Sequence, residues 1–262
     1  MHRYTVLLAS ALFFVLTLLP QVSYALGLEI GLGYFRQEPS GELAYKPLSS
    51  IDKLDIERDL GYDREYRPFA RIKAETPLYF PNIYLYATPV KFDETGAKTA
   101  NFTFGDVSFD LTEPFDSKIQ MDLYDICLHY PLPMLNKTTL GKINAEIGLN
   151  ARIVDFDAEV SGRDVITGLT TTESVNETIP VPMIYAAVQL NPADFLSIEA
   201  EGRGVAYSSN HYYDVIGRIK IKPAGPLFIA GGYRYSDIKI NYGDIEASVT
   251  LSGPFVETGV IF

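Results

Sequence analysis

Apolar and polar residues alternate along most of the chain after residue 25. In the stretch 141–153, Ile143 and Ile147 belong to an apolar series, and Glu146 and Arg152 lie between its members. Such period-two alternation predicts a β-strand with one apolar and one polar face. Ten segments show it and none shows a convincing helical period, so the predicted fold is all-β.

The ten predicted strands span residues 27–36, 67–75, 82–90, 124–130, 141–153, 183–190, 195–207, 212–222, 226–238 and 252–262. Pro68 and Pro89 weaken the second and third predictions, because proline has no N–H to donate to a ladder. Eight or twelve strands are the alternatives to about ten.

The predicted connections alternate in length. Long ones follow the first, third and fifth strands, at 37–66, 91–117 and 155–181. Short ones follow the second, fourth, sixth and eighth, at 76–81, 131–140, 191–194 and 223–225. Long extracellular loops and short periplasmic turns are typical of a closed antiparallel transmembrane β-barrel, and an even strand number brings both termini to the periplasmic side. We therefore favour a barrel over a soluble secreted β-protein.

The N-terminus has the pattern of an export signal. A basic start at His2 and Arg3 precedes an apolar run at 5–19, and small residues at Ser23 and Ala25 mark a cleavage site. The run is too short for a spanning helix of about 20 residues. We predict a cleaved signal peptide at 1–25 and one barrel domain at 26–262.

Composition narrows the functional classes. The net charge of −11 argues against nucleic acid as a partner. The single cysteine, Cys127, excludes an intrachain disulfide framework, and we interpret it as a small inward-facing apolar residue. Tyrosines near the predicted strand ends fit interfacial girdles.

The polar face of the predicted strands carries charges of both signs. Two interpretations are open: a selective pore lining, or an ion-pair network that fills the lumen. Barrels of about eight strands are filled by side chains, and buried charges must be paired, so we favour the filled lumen. The predicted lumen charges are Glu29, Arg71, Lys73, Glu146, Arg152, Glu199, Glu201, Arg203, Arg218, Lys220, Arg234 and Glu257.

One hairpin allows a prediction of register. With a tip at 209–210, Glu201 faces Arg218 and Glu199 faces Lys220. Opposite charges then meet on one face of the sheet, as favourable cross-strand pairs do.

The first long connection is acidic. Its carboxylates are Asp52, Asp55, Glu57, Asp59, Asp63 and Glu65. Their spacing does not match a calcium loop. We expect a solvated acidic loop without a metal or cofactor, while contact with lipopolysaccharide through bridging cations stays open.

Catalytic chemistry has little support. Beyond the predicted signal, the histidines are His129 and His211. His211 lies near Ser208, Ser209 and Asp214, formally a Ser/His/Asp set, but a tight turn is a poor support for three oriented groups. We expect no enzyme, and a rim hydrolase acting on lipid or peptide is the weaker alternative.

Several short segments occur in a characteristic order along the chain: 55–61 (DIERDLG), 102–105 (FTFG), 182–185 (PMIY), 232–235 (GYRY) and 252–255 (SGPF). In these the sequence resembles a family of Gram-negative outer-membrane β-barrel proteins with no assigned activity. The resemblance implies location in the cell outer membrane and no catalytic residues.

The C-terminal residues also resemble those of outer-membrane barrels. Phe262, with Val260 two residues before it, is similar to the signal that such barrels present to their assembly machinery. The expected partners are therefore this machinery during biogenesis, and outer-membrane lipid and lipopolysaccharide. We expect a monomer with a structural or surface-interaction role, and a narrow pore or facilitator for small solutes is the alternative.

Overall fold

The computed structural model describes residues 27–77, 80–98, 101–110 and 114–262, so the predicted signal peptide lies outside the described residues. Within these ranges the chain forms thirteen strands, a 3-10 turn at Ser50–Asp52 and one short helix, α1 (Pro133–Thr138). The strands are β1 (Leu28–Tyr45), β2 (Leu54–Asp55), β3 (Glu65–Ala74), β4 (Asn82–Gly96), β5 (Phe102–Phe104), β6 (Val107–Phe109), β7 (Phe115–Pro131), β8 (Ile143–Arg163), β9 (Thr170–Ala193), β10 (Leu196–Tyr207), β11 (Asn210–Ile221), β12 (Leu227–Tyr242) and β13 (Ile245–Ile261).

Ten of these strands form one closed antiparallel barrel. Neighbours in sequence pair with each other, and β13 returns to pair with β1, from Glu29↔Ile261 to Tyr45↔Ile245. The short β2 lies beside the upper part of β1, and β5 and β6 form a separate hairpin. The prediction of a closed barrel of about ten strands is confirmed.

The barrel has two distinct ends. The start of β1, the end of β13, the adjoining ends of β3 and β4, and the connections 132–142, 194–195 and 222–226 lie at one end, which we call the turn end. The opposite, loop end carries the connections 46–64, 164–169, 208–209 and 243–244 and the adjoining ends of β4 and β7. The connection 46–64 is long, and 164–169 is shorter than the predicted 155–181.

The outer surface of the barrel is apolar over a broad band. Leu149 is 70% exposed, Ile184 64% and Ile229 60%, whereas inward neighbours such as Asn150 and Tyr185 are buried. A water-soluble protein does not leave so many large aliphatic side chains exposed together, so this band is suited to lipid. Apolar residues therefore face outward and polar residues inward.

No helix among the described residues is long and apolar enough to cross a membrane.

Several strands extend further toward the loop end than predicted. β8 runs to Arg163 and β9 starts at Thr170, so most of the predicted loop 155–181 is strand. In this upper part the acidic Asp155 and Asp157 face outward, and Val154 and Phe156 face the interior. The period of two continues, but apolar residues now face inward and polar residues outward, because the strand has left the apolar band.

Candidate functional site

Ion pairs fill the turn side of the barrel interior up to its middle. Asp214 on β11 is a centre of this set. Its carboxylate accepts hydrogen bonds from Arg152 at 2.5 Å and from Arg234 at 2.8 Å, and a third guanidinium, that of Arg203, lies 3.7 Å away. The Asp214 side chain is fully buried. Three cations thus surround one buried carboxylate, and these charges are compensated by one another and not by water.

A second centre lies closer to the turn end. Arg71 on β3 donates from Nε to Glu257 on β13 at 2.6 Å and also contacts Glu29 on β1. Lys220 on β11 bonds Glu29 at 2.6 Å from the other side. Two of these pairs, Arg71–Glu257 and Lys220–Glu29, connect strands that are not neighbours in the sheet.

Some contacts cross most of the lumen. Arg234 on β12 donates to Thr88 Oγ1 on β4 at 2.7 Å. Tyr84 on β4 donates to Glu201 on β10 at 3.2 Å. In each contact the two strands are four places apart around the ten-stranded barrel, where directly opposite strands are five apart. At this level the interior is closed by side chains.

The structure places all twelve predicted lumen charges in ion pairs and adds two acids that the prediction omitted, Asp125 and Asp214. The predicted set holds seven cations and five acids, and the two additions make the signs equal. Charge balance, required of buried ions, was the signal that could have identified them. We call the fourteen residues the plug: Glu29, Arg71, Lys73, Asp125, Glu146, Arg152, Glu199, Glu201, Arg203, Asp214, Arg218, Lys220, Arg234 and Glu257.

The predicted hairpin register is wrong by two residues. Glu199, not Glu201, lies directly opposite Arg218, and the tip is at 208–209. The predicted contacts nevertheless form diagonally: Arg218 donates to Glu201 at 2.5 Å, and Lys220 lies 2.7 Å from Glu199. A shift of two residues keeps every side chain on its face, and long side chains reach the diagonal position.

The formal Ser/His/Asp set at the 208–209 tip is not assembled. Asp214 points into the barrel and belongs to the plug, whereas the His211 ring bonds Asp237 at 3.2 Å. The other predicted histidine, His129, is fully buried on β7. A Ser–His–Asp relay therefore cannot form from these residues.

The loop side of the interior is apolar, so the charged filling that we predicted for the lumen occupies its turn side only. Inward residues of seven barrel strands and the first loop enclose a cavity, among them Leu43, Ile56, Phe92, Met121, Phe156 and Ile238. The space that the centre of a water molecule can occupy there is about 90 Å³, and no polar surface lines it. We call this cavity the apolar chamber. The chamber lies on the loop side of the outer apolar band. There the apolar residues of each lining strand face inward and the polar residues face outward.

Two loops cover the loop end as an ordered cap. Leu54, Leu60, Phe102, Phe104 and Phe109 are each at most 2% exposed, and Phe102 stacks on Phe109 with ring centroids 5.3 Å apart. Phe102 also packs on Phe115 of β7 with centroids 4.9 Å apart, so the core of the cap is continuous with that of the barrel.

Asp52 holds the two loops of the cap together and is buried, so the expectation of a solvated acidic loop is wrong for this residue. Its carboxylate accepts the backbone N–H groups of Leu48, Ser49 and Thr103 at 2.7–2.9 Å. Burial alone would raise the pKa of Asp52, but these donors hold it below its ordinary value. Among the described residues no cluster of acids, histidines or cysteines is arranged to hold a metal ion.

Comparison with known proteins adds the following. No protein-family model and no curated protein matches the chain. Solved structures similar to it include the translocator domain of autotransporter NalP from Neisseria meningitidis (10% identity, 99% of this chain and 96% of that one, TM-score 0.45) and Ail, the attachment invasion locus protein of Yersinia pestis (11%, 91% and 99%, TM-score 0.37). Neisserial surface protein A is a third (10%, 90% and 97%, TM-score 0.34). Values this low carry no argument about function.

Proposed function

We propose that this chain is an integral outer-membrane β-barrel that does not conduct ions and acts at the cell surface through its capped loop end. The apolar outer band supports insertion, since only helices and closed barrels satisfy their backbone in lipid. The loop end then faces outward and the turn end faces the periplasm, as in other barrels with short periplasmic turns.

The plug is the observation that carries the proposal. An ion that entered from the turn end would have to separate buried pairs such as Arg71–Glu257, whose side chains are at most 1% exposed. Beyond the plug it would meet the apolar chamber, and hydrophobic constrictions exclude ions by dewetting. The two barriers lie in series, so a filled lumen explains the charges better than a selective lining does.

Planar-bilayer recording tests the closed lumen. The wild-type barrel should give no stepwise current. Replacing both Lys73 and Glu146 by Ala removes an entire pair without leaving an unpaired charge, and it should not open a path through the chamber. Steps in the wild type whose ion selectivity changes in Arg218→Ala would overturn the proposal and establish the narrow pore instead.

Surface labelling of intact cells tests the orientation. Ile166 in the loop 164–169 and Leu140 in the turn 132–142 are similarly exposed, at 86% and 90%, and the native Cys127 is buried. A membrane-impermeant maleimide should label Ile166→Cys in intact cells and Leu140→Cys only after lysis. The reverse pattern would contradict the proposed insertion.

A further inference from the structure

Two prolines interrupt the barrel wall between β3 and β4. Their ladder has five pairs, ending at Ala70↔Ala87, whereas β1–β3 has ten and β4–β7 has fifteen. Continued in register, the ladder would place Pro68 directly opposite Pro89. A pair of two prolines has no N–H on either side and cannot exchange a ladder hydrogen bond. The ladder stops one position before this pair, because Phe69 and Thr88 are also not paired.

A proline in this wall pairs with one neighbouring strand and interrupts the pairing with the other. Pro182 on β9 faces Ala151 on β8 in a ladder that is continuous from Ile143↔Leu190 to Arg163↔Thr170, but the ladder between β9 and β10 ends at Gly204↔Ile184, two positions before Pro182. The gap between β3 and β4 differs because a proline lies on each side of the same register position, so neither strand has an N–H to donate there.

Side chains bridge the interrupted segment in place of a ladder. Gln37 donates from Nε2 to the carbonyl oxygen of Pro89 at 2.8 Å, and Arg67 donates from Nη2 to that of Lys91 at 2.7 Å. Further up, the backbone N–H of Ala97 donates to Asp59 of the first loop at 2.9 Å. Two side-chain hydrogen bonds, at Pro89 and Lys91, and one backbone contact with the first loop, at Ala97, thus take the place of the ladder.

The apolar chamber lies directly behind this segment. Val90 and Phe92, the inward residues of β4 just above Pro89, line the chamber, and Tyr62 of the first loop stacks on Phe92 with centroids 5.5 Å apart. On the outside, the residues change here from apolar, at Ala87, to charged, at Lys91. The segment therefore lies where the apolar band of the barrel ends.

We propose that the gap in the barrel wall between β3 and β4, where Pro68 and Pro89 face each other, is a lateral opening. Through it a hydrocarbon chain of a membrane lipid enters the apolar chamber. The inference rests on the membrane insertion proposed above. The chamber offers several times the roughly 10–15 Å³ that a single water needs, yet it has no polar lining to hold water. An acyl chain can occupy such a site without loss of hydrogen bonds, and a lipid anchored by its headgroup at the edge of the band need move only its chain.

The absence of tryptophan from the chain allows a direct test. Ile238 lines the chamber from β12 and is 4% exposed. Ile238→Trp would be reconstituted in vesicles of phosphatidylcholine with dibrominated acyl chains, which quench nearby tryptophan. A second reporter, Ile147→Trp on the outer band, shows whether the barrel is inserted.

Two further changes test the route and the site. Pro68→Val with Pro89→Val restores both N–H donors, and Pro182→Val, at a strand proline that does not border the gap between β3 and β4, is the control. Ala247→Phe fills the chamber and is independent of the proline changes if those fail to fold. Gel mobility before and after heating reports folding of each variant.

We expect the Ile238→Trp signal to be quenched in the parent and in Pro182→Val, and to lose that quenching in the double valine and the filled variants. Equal quenching in all of them, or none in the parent, would overturn the lateral opening. Failure to quench Ile147→Trp would overturn membrane insertion itself. Quenching by dibrominated stearic acid added to plain vesicles, without quenching by the brominated phospholipid, would overturn the assignment to a membrane lipid.

Discussion

Replacing Asp214 by Asn should destabilise the barrel strongly. The two side chains have nearly the same shape, so the change leaves no cavity and removes only the charge. Arg152 at 2.5 Å, Arg234 at 2.8 Å and Arg203 at 3.7 Å would then lack their shared acid. With the plug's charges balanced at seven of each sign, the variant carries an uncompensated buried cation.

The magnitude follows from this environment. Breaking a buried pair by removing one partner costs about 3–5 kcal/mol, and three guanidiniums around one carboxylate favour the upper part of that range. With a urea dependence of about 1–3 kcal/mol per molar, a loss of about 4 kcal/mol lowers the unfolding midpoint by roughly 1.3–4 M. Such a shift is far outside the error of a denaturation curve.

The assay is urea unfolding of the barrel in lipid vesicles, followed by circular dichroism and by mobility on unheated gels. Asp237→Asn is the matched control, since Asp237 pairs with His211 at 3.2 Å and is 36% exposed. It should change stability by less than about 1 kcal/mol. If Asp214→Asn unfolded at the same urea concentration as Asp237→Asn, the plug would not be an essential charge network and the reasoning would fail.

Three further predictions concern the outer band, the cap and the barrel wall. Ile147→Arg places a charge on the lipid face and should cost about 2–4 kcal/mol of unfolding free energy near the bilayer midplane. Acidification should release the contact between Asp52 and Thr103. Because the pKa of Asp52 is lowered in the folded protein, its contribution to stability is complete above the ordinary Asp pKa and is lost as pH falls through the folded pKa. Limited proteolysis of the cap would detect this loss. Gly148→Val should cost about 1–3 kcal/mol in urea unfolding, since a Cβ there would lie 2.6 Å from that of the buried His129.

Each of these predictions has a matched control. Thr178→Arg, on an exposed outward position beyond the apolar band, should leave stability unchanged. Asp52→Asn should abolish the acid-dependent proteolysis, whereas Asp63→Asn in the same loop should not. Gly217→Val should be tolerated, because no atom lies within 4 Å of an added Cβ. Equal effects of a variant and its control would contradict the corresponding prediction.

The barrel, and which residues face outward and which inward, were predictable because period-two alternation depends on local sequence alone. In the apolar band each strand alternates aliphatic and polar residues, and the even strand number follows from the count. The stretch 141–153 illustrates this: Ile147 and Leu149 are exposed on the outer face, and Asn150 and Arg152 are buried inside. Gly148 provides room for His129, its partner on β7.

The upper half of the barrel was not predictable in the same way. Above the band, residues such as Val154 and Phe156 take over the inward positions, and Asp155 and Asp157 face solvent. We predicted a long connection at 155–181, although a reversal of parity within an unbroken alternation is a physical expectation at a membrane boundary. The apolar chamber follows from the same reversal, so a search for this change of sense along each strand would have located it.

The lateral opening depends on information that local sequence does not contain. Pro68 and Pro89 each weaken a strand prediction by the same rule, yet both strands form, since each proline can leave its free edge unpaired. Only the register shows that the two free edges face each other, and register is a property of two strands. A one-residue shift of β3 relative to β4 would have separated the prolines and left a donor at each position. It would also have turned Arg71 and Lys73 of the plug toward lipid, so the plug and the opening are fixed by the same pairing.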